Sequence, residues 1–318
     1  MTPATGGLHH VTAIVGDPER NAEFYVETLG LRFVKRTVNH DDPGTYHFYF
    51  GDGEGTPGTN ITFFPWTDSG RRGSFGAGQT RTTAYLVDED SVDYWLDRLG
   101  DRGVDVTRTE RFDETVIRFE DPDGIALELV AADAPSDAVT WDGSPVPADH
   151  QLRGFYGVTL AVTDVEPTAE VLTDVLGYVH EATEDGRHRY RSATGGPGSV
   201  VDLVETDLER GRMGIGTVHH VAFRAEDTAE LEAYREAYQE RGLSPSPIID
   251  RTYFHALYAR DPGGVLFEIS TMGPGFTVDE DRDDLGSRLT LPEKLEPDRD
   301  AIERQLPPFD GPTPEGGD

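Results

Sequence analysis

Two histidine doublets and one glutamate are the residues of this chain best placed to do chemistry. His9 and His10 stand in Gly7-Leu8-His9-His10-Val11-Thr12, and His219 and His220 in Thr217-Val218-His219-His220-Val221-Ala222, 210 residues later. Glu268 follows in Asp261-Pro262-Gly263-Gly264-Val265-Leu266-Phe267-Glu268-Ile269. Two imidazoles and one carboxylate on strand-like segments are the ingredients of a facial triad, which leaves coordination positions open and suits non-haem Fe(II). The chain has no cysteine, so thiolate sites are excluded and any metal must be held by His, Asp or Glu. A single histidine on an apolar strand is ordinarily a packed, hydrogen-bonded residue. Two doublets at matching strand positions, with a carboxylate, favour a metal instead. Strand alternation makes the two members of each doublet face opposite ways.

The elements that must position these residues repeat one plan. Leu8 to Val15 reads as a strand, Gly16-Asp17-Pro18 as a turn, and the next stretch as a helix ending at Leu29-Gly30. Asp17 is placed to cap that helix with Pro18 at its first position, and Gly30 sits where a helix end favours a left-handed residue. Phe155 to Gly177 repeats this, with Asp164 as cap; 82–100 and 217–242 do so again. Short β-rich runs follow each helix, and Asp121-Pro122-Asp123-Gly124 and Asp261-Pro262-Gly263-Gly264 are turns feeding a last strand. The spacing predicts an α+β chain of four βαβββ modules, at 1–67, 78–132, 153–206 and 215–272. Modules one and two make a first domain over 1–132, 133–152 is a linker, and modules three and four make a second over 153–272. An acidic, proline-rich extension occupies 273–318, with a short helix over 296–305 and frayed final residues, 312–318.

Charge sets further bounds. Sixty acidic residues against 28 basic give a formal net charge of −32, which argues against a nucleic-acid partner. No apolar run is long enough to span a bilayer, and Met1 to Gly6 lacks the basic and apolar segments of a signal peptide. Lys35 and Lys294 are the only lysines. Such a charge strains the compact state by self-repulsion, which about 1 M salt, with a Debye length of roughly 3 Å, largely screens. The composition resembles that of a haloarchaeal cytoplasmic protein.

Paired βαβββ modules with histidine on first strands and glutamate on a last strand resemble the vicinal oxygen chelate superfamily, which includes glyoxalase I, extradiol dioxygenases and antibiotic-resistance proteins. Aligned first strands put Gly157 of module three, and Thr82 or Thr83 of module two, where His10 and His220 stand. Ligands from modules one and four resemble the hydroquinone-type ring-cleaving dioxygenases, in which the first and last modules meet around one metal. The segment Leu257-Tyr258-Ala259-Arg260-Asp261-Pro262-Gly263-Gly264-Val265-Leu266-Phe267-Glu268 is similar to the extradiol signature, except that Arg251 replaces the signature's upstream histidine.

The resemblance implies an Fe(II)-dependent ring-cleaving dioxygenase, with Mn(II) the alternative metal, acting on a small aromatic diol and O2. Its ligands would be His10, His220 and Glu268. His9, His219 and Thr12 would line the pocket beside the substrate, and Arg251 and Tyr258 would contact its phenolic oxygens. The bland readings are backbone hydrogen bonding for His9 and His219, a surface ion pair for Arg251 and core packing for Tyr258. Glu128, the counterpart of Glu268, reads as a relic that is solvated or paired with arginine. His255 is a weaker candidate; His40, His47, His150, His180 and His188 read as structural or exposed. A glyoxalase-type isomerase or lyase would use four protein ligands, two of them carboxylates, where this chain offers one well-placed glutamate. A metal-free binding protein of the resistance type need not keep all three ligands. The sequence leaves homo-oligomerisation open.

Overall fold

The computed structural model describes residues 4–67, 70–133 and 138–312. The first module runs β1 (Leu8–Val15), α1 (Pro18–Glu23), β2 (Arg32–Asn39), β3 (Asp42–Gly51) and β4 (Asn60–Pro65). The Asp17 carboxylate caps α1 by accepting from Arg20 N at 3.0 Å, with Pro18 in the first turn. The helix passes into a π-helical turn over Phe24–Thr28, and Gly30 leaves it at φ +75°, as its position predicts. The second module runs β5 (Gln79–Val87), α2 (Val92–Asp101), β6 (Thr107–Arg111), β7 (Glu114–Glu120) and β8 (Ala126–Ala131). The third runs β9 (Phe155–Val162), α3 (Val165–Asp174), β10 (Tyr178–Glu184), β11 (Arg187–Ser192) and β12 (Val200–Glu205). The fourth runs β13 (Thr217–Ala225), α4 (Thr228–Glu240), β14 (Ile249–Asp250), β15 (Phe254–Arg260) and β16 (Leu266–Pro274).

Two curled eight-stranded sheets result, and the α+β plan of four βαβββ modules stands. One sheet runs β14-β15-β16-β13-β1-β4-β3-β2, the other β10-β11-β12-β9-β5-β8-β7-β6. Each sheet therefore takes one module from each half of the chain: modules one and four in the first, two and three in the second. The division of the chain at 133–152 is not a division between sheets. First strands are buried along their whole length, β1 and β9 alike, so they read as continuous rather than alternating apolar runs.

The extension packs on the first sheet. The buried Lys35 ammonium pairs with Asp279 at 2.6 Å and with Glu280, Thr290 N donates to Arg36 O at 2.9 Å, and the Phe276 ring lies 5.0 Å from that of Tyr49. Its terminal helix, α5 (Arg299–Gln305), starts later than the sequence suggests because Glu293–Asp298 winds as a 3-10 segment around Pro297. Of the final stretch expected to fray, 313–318 lies outside the described residues. No helix among the described residues is long and apolar enough to cross a membrane.

Register shows why only one sheet keeps the three donors. In the first sheet His10 pairs with Ala222, and Ala222 pairs with Glu268, with His220 two residues back on the same face. In the second, Gly157 pairs with Ala84, and Ala84 with Glu128, which puts Thr82 in the place of His220. A Cβ at Gly157 would run into the Val200 carbonyl of the neighbouring strand. No side chain fits there. Gly157→Ala is expected to lower the unfolding free energy by about 1–3 kcal/mol, as overpacking does; an unchanged denaturation midpoint would show that β9 and β12 can move apart freely.

Candidate metal centre

The three central strands β16, β13 and β1 bring Glu268, His220 and His10 together, all with 5 % or less of their surface exposed. One donor atom from each lies within 4.8 Å of the other two. His10 Nε2 is 3.2 Å from His220 Nε2, and Glu268 Oε2 is 2.9 Å from His220 Nε2 and 3.6 Å from His10 Nε2. Glu268 Oε1 accepts from Ser270 Oγ at 2.6 Å, whereas Oε2 is a buried acceptor with no hydrogen bond of its own.

Hydrogen bonds behind the donors fix which atoms face inward. His9 Nε2 lies 3.1 Å from the Thr271 carbonyl, which can only accept, so His9 carries its proton on Nε2. Burial, and then the neighbouring His10, push the His9 pKa down to about 3, so the ring is neutral and its Nδ1 is bare. That bare Nδ1 is 2.9 Å from His10 Nδ1, which must be the donor. With its Nδ1 engaged there, His10 turns Nε2 to the centre. The second doublet copies the arrangement: both pairs of rings stand 5.0 Å apart at 81°, with His219 Nδ1 2.7 Å from His220 Nδ1. Burial, and then His220, lower His219 to about 3 as well, and burial also lowers His220. Burial alone would raise the Glu268 carboxyl, but the two imidazoles facing it outweigh burial and hold it well below the usual range.

A buried carboxylate oxygen and two inward nitrogens face one point. A divalent cation satisfies all three at once. Donors of this softness suit Fe, Mn or Zn, and three protein ligands leave positions open. Among the described residues no other group of three or more His, Asp or Glu side chains converges in this way. The second sheet meets the same need differently. Glu128 takes a bidentate pair from Arg111 at 3.1 and 2.7 Å, with Arg118 at 3.4 Å. Of the two expectations for Glu128, pairing with arginine is the one observed.

A cavity of about 210 Å³ opens over the donors. Arg251 and Tyr258 line it, and Arg251 Nε donates to the Tyr258 hydroxyl at 3.1 Å. Burial and then Glu268 drive the Tyr258 hydroxyl well above its ordinary pKa, so it stays protonated. Arg251 also pairs with the exposed Asp41 at 3.0 Å, so the ion pair and the cavity contact coexist. His219 lines the cavity, but His9 and Thr12 do not: His9 is turned onto Thr271, and Thr12 is enclosed behind the wall, bonded to Thr62 at 2.7 Å. Both therefore differ from the expectation that they face substrate. His255 does not line the cavity either.

Sequence reasoning missed His40, His47, Tyr49 and Phe64, which do line it. They carry no doublet or spacing signal. His47 and Tyr49 share one face of β3 by alternation, but that face is recognised as the cavity side only once the curl of the sheet is known.

The Glyoxalase/Bleomycin resistance protein/Dioxygenase superfamily matches this chain over residues 7–129 and 154–269. MhqO of Bacillus subtilis (strain 168), provisionally named a ring-cleaving dioxygenase, is 44% identical over 310 residues, 98% of each chain. The chlorohydroquinone/hydroquinone 1,2-dioxygenase of Sphingobium indicum is 34% identical over 309 residues, 94% of this chain and 95% of that one. A crystal structure from Bacillus subtilis, provisionally titled a dioxygenase, is 43% identical and superposes with a TM-score of 0.92, covering 97% of this chain and 99% of that one.

His9→Phe keeps the ring packing but removes the lock on His10, and is expected to weaken divalent-metal affinity about 10- to 100-fold. Competitive titration with Fe(II) or Mn(II) measures this, and unaltered affinity would show that the lock does not matter.

Proposed function

The chain belongs to the Glyoxalase/Bleomycin resistance protein/Dioxygenase superfamily, and on that premise we propose that it is an Fe(II)-dependent dioxygenase opening the ring of a hydroquinone-like diol. The observation that carries this reading is the open His10–His220–Glu268 set beneath a cavity with an arginine and a protonated tyrosine on its wall. Relatives aligned over nearly the whole chain bear ring-cleaving and hydroquinone dioxygenase names, which supports the same reaction class.

His10, His220 and Glu268 would hold the metal; Mn(II) suits the same donors. When bound, the metal supplies Lewis acidity toward a phenolic oxygen and the redox chemistry that O2 requires. The cavity is below the roughly 300–1,000 Å³ of pockets for drug-sized ligands and suits a single ring. Arg251 keeps its proton at all relevant pH and contributes charge, steadying the phenolate and the oxyanion that develops as the ring opens. The Tyr258 hydroxyl, held by Arg251, donates a hydrogen bond to the same oxygen. His219, the wall member of its doublet, is neutral and offers the substrate a hydrogen-bonding contact beside the donors. Phe64 and Phe254 close the sides of the cavity and limit its water.

Protein loaded with Fe(II) under anaerobic conditions should consume O2 when hydroquinone and air are admitted, with loss of the aromatic absorbance. Glu268→Ala should lose both iron and uptake. Stoichiometric iron without uptake on any single-ring diol, or turnover of a hemithioacetal instead, would overturn the reading.

A further inference from the structure

The ring-cleavage reading uses one flank of the cavity. The donors stand on β16, β13 and β1, and Arg251 and Tyr258 approach from the β14–β15 side. The opposite flank, β4 and β3, is also polar, and the proposed reaction uses only its Phe64 wall. His47 lies there between aromatic neighbours, its ring 4.2 Å from that of Tyr49 and 4.4 Å from that of Phe64. Its Nε2 is 2.9 Å from Thr62 Oγ1, which is 2.7 Å from Thr12 Oγ1. Its Nδ1 is 3.0 Å from the Tyr49 hydroxyl. Among the described residues that nitrogen is the hydroxyl's one hydrogen-bond partner. The imidazole is thus clamped at both nitrogens, and the tyrosine it holds is on the cavity wall.

Each group is fixed in one protonation state. Burial, and then His10, hold His47 well below its ordinary pKa, so it is neutral. Burial, and then Tyr253, hold Tyr49 well above its own, so it is a hydroxyl. A hydroxyl has one proton to give and two lone pairs to offer, so a single contact leaves Tyr49 able to take a second. In a cavity with aromatic walls, an oxygen on the ligand is the partner that completes it.

We propose that Tyr49, oriented by His47, is the contact for the oxygen that a metal-bound ring carries on its far edge, making the pair the element that selects a 1,4-diol over a 1,2-diol. This rests on the ring-cleavage reading. A 1,2-diol turns both oxygens to the metal side and leaves a C–H edge against β3. A 1,4-diol binds the metal side through one oxygen and delivers the other across the width of the ring, on the flank two strand spacings, about 10 Å along the sheet, from β1. Tyr49 is then the specificity residue and His47 its positioning residue. Thr62 and Thr12 hold His47, which gives enclosed Thr12 a role away from substrate.

Equilibrium binding to the Fe(II)-loaded protein without O2 tests the contact apart from turnover. Hydroquinone and phenol differ only in the far hydroxyl. The wild type should prefer hydroquinone by about tenfold, the value of one neutral hydrogen bond near the top of its range. Tyr49→Phe keeps the ring packing and should bring that preference within about twofold, leaving phenol affinity unchanged. His47→Phe should erode the preference in the same direction, and His47→Gln, which keeps polar atoms toward Tyr49 and Thr62, should restore part of it. A preference that survives in Tyr49→Phe, none in the wild type, or an equal loss for both ligands would overturn the proposal. Absence of O2 uptake alongside an intact binding preference would refute ring cleavage alone.

Discussion

Three buried donors within 4.8 Å of one another form an arrangement that a cation between them would satisfy at once. The rest of the first sheet can be read as the means of building that arrangement. Pairing β1 with β13 and β13 with β16 lines up His10, Ala222 and Glu268 in one row, although they come from opposite ends of the chain. Each inner histidine leans on the doublet partner beside it, and His9 in turn leans on a backbone carbonyl. A carbonyl cannot change its role, so in the first doublet the direction of the hydrogen-bonded series is set from outside the centre.

The second sheet is an internal comparison. Its row Gly157–Ala84–Glu128 has the same register as His10–Ala222–Glu268 but presents only the carboxylate. Arg111 and Arg118 supply the charge there, while Arg187 and Arg189 pair with Asp202 nearby. A buried carboxylate stands at this point of the fold in both sheets. What differs is that guanidinium fills the space in the second, whereas in the first two imidazoles face it and would hold a cation with positions to spare. The close approach of Val200 at Gly157 bars a histidine from the second sheet's counterpart of the His10 position.

Much of this was legible in the sequence. The doublets, the Asp-Pro-x-Gly turn before Glu268 and the capped helices gave the modules, because each depends on local chemistry or on a repeat, and the resemblance to the hydroquinone-type dioxygenases implied that modules one and four meet. The functional reach of His9 and Thr12 was not legible: a doublet places two rings on one strand without saying which carbonyl or hydroxyl awaits the second. His47 and Tyr49 were hidden for a related reason. Their strand is separated from β1 by β4, and only the curl of the sheet carries them over the donors. Alternation names a face; it does not say what that face looks onto.

X-ray absorption at the iron edge on Fe(II)-loaded protein tests the central claim most directly. The account predicts one iron per chain with two imidazoles, one carboxylate and the remaining positions filled by solvent oxygen. Iron that fails to bind in that ratio, or that carries a fourth protein ligand or lacks imidazole, would contradict it.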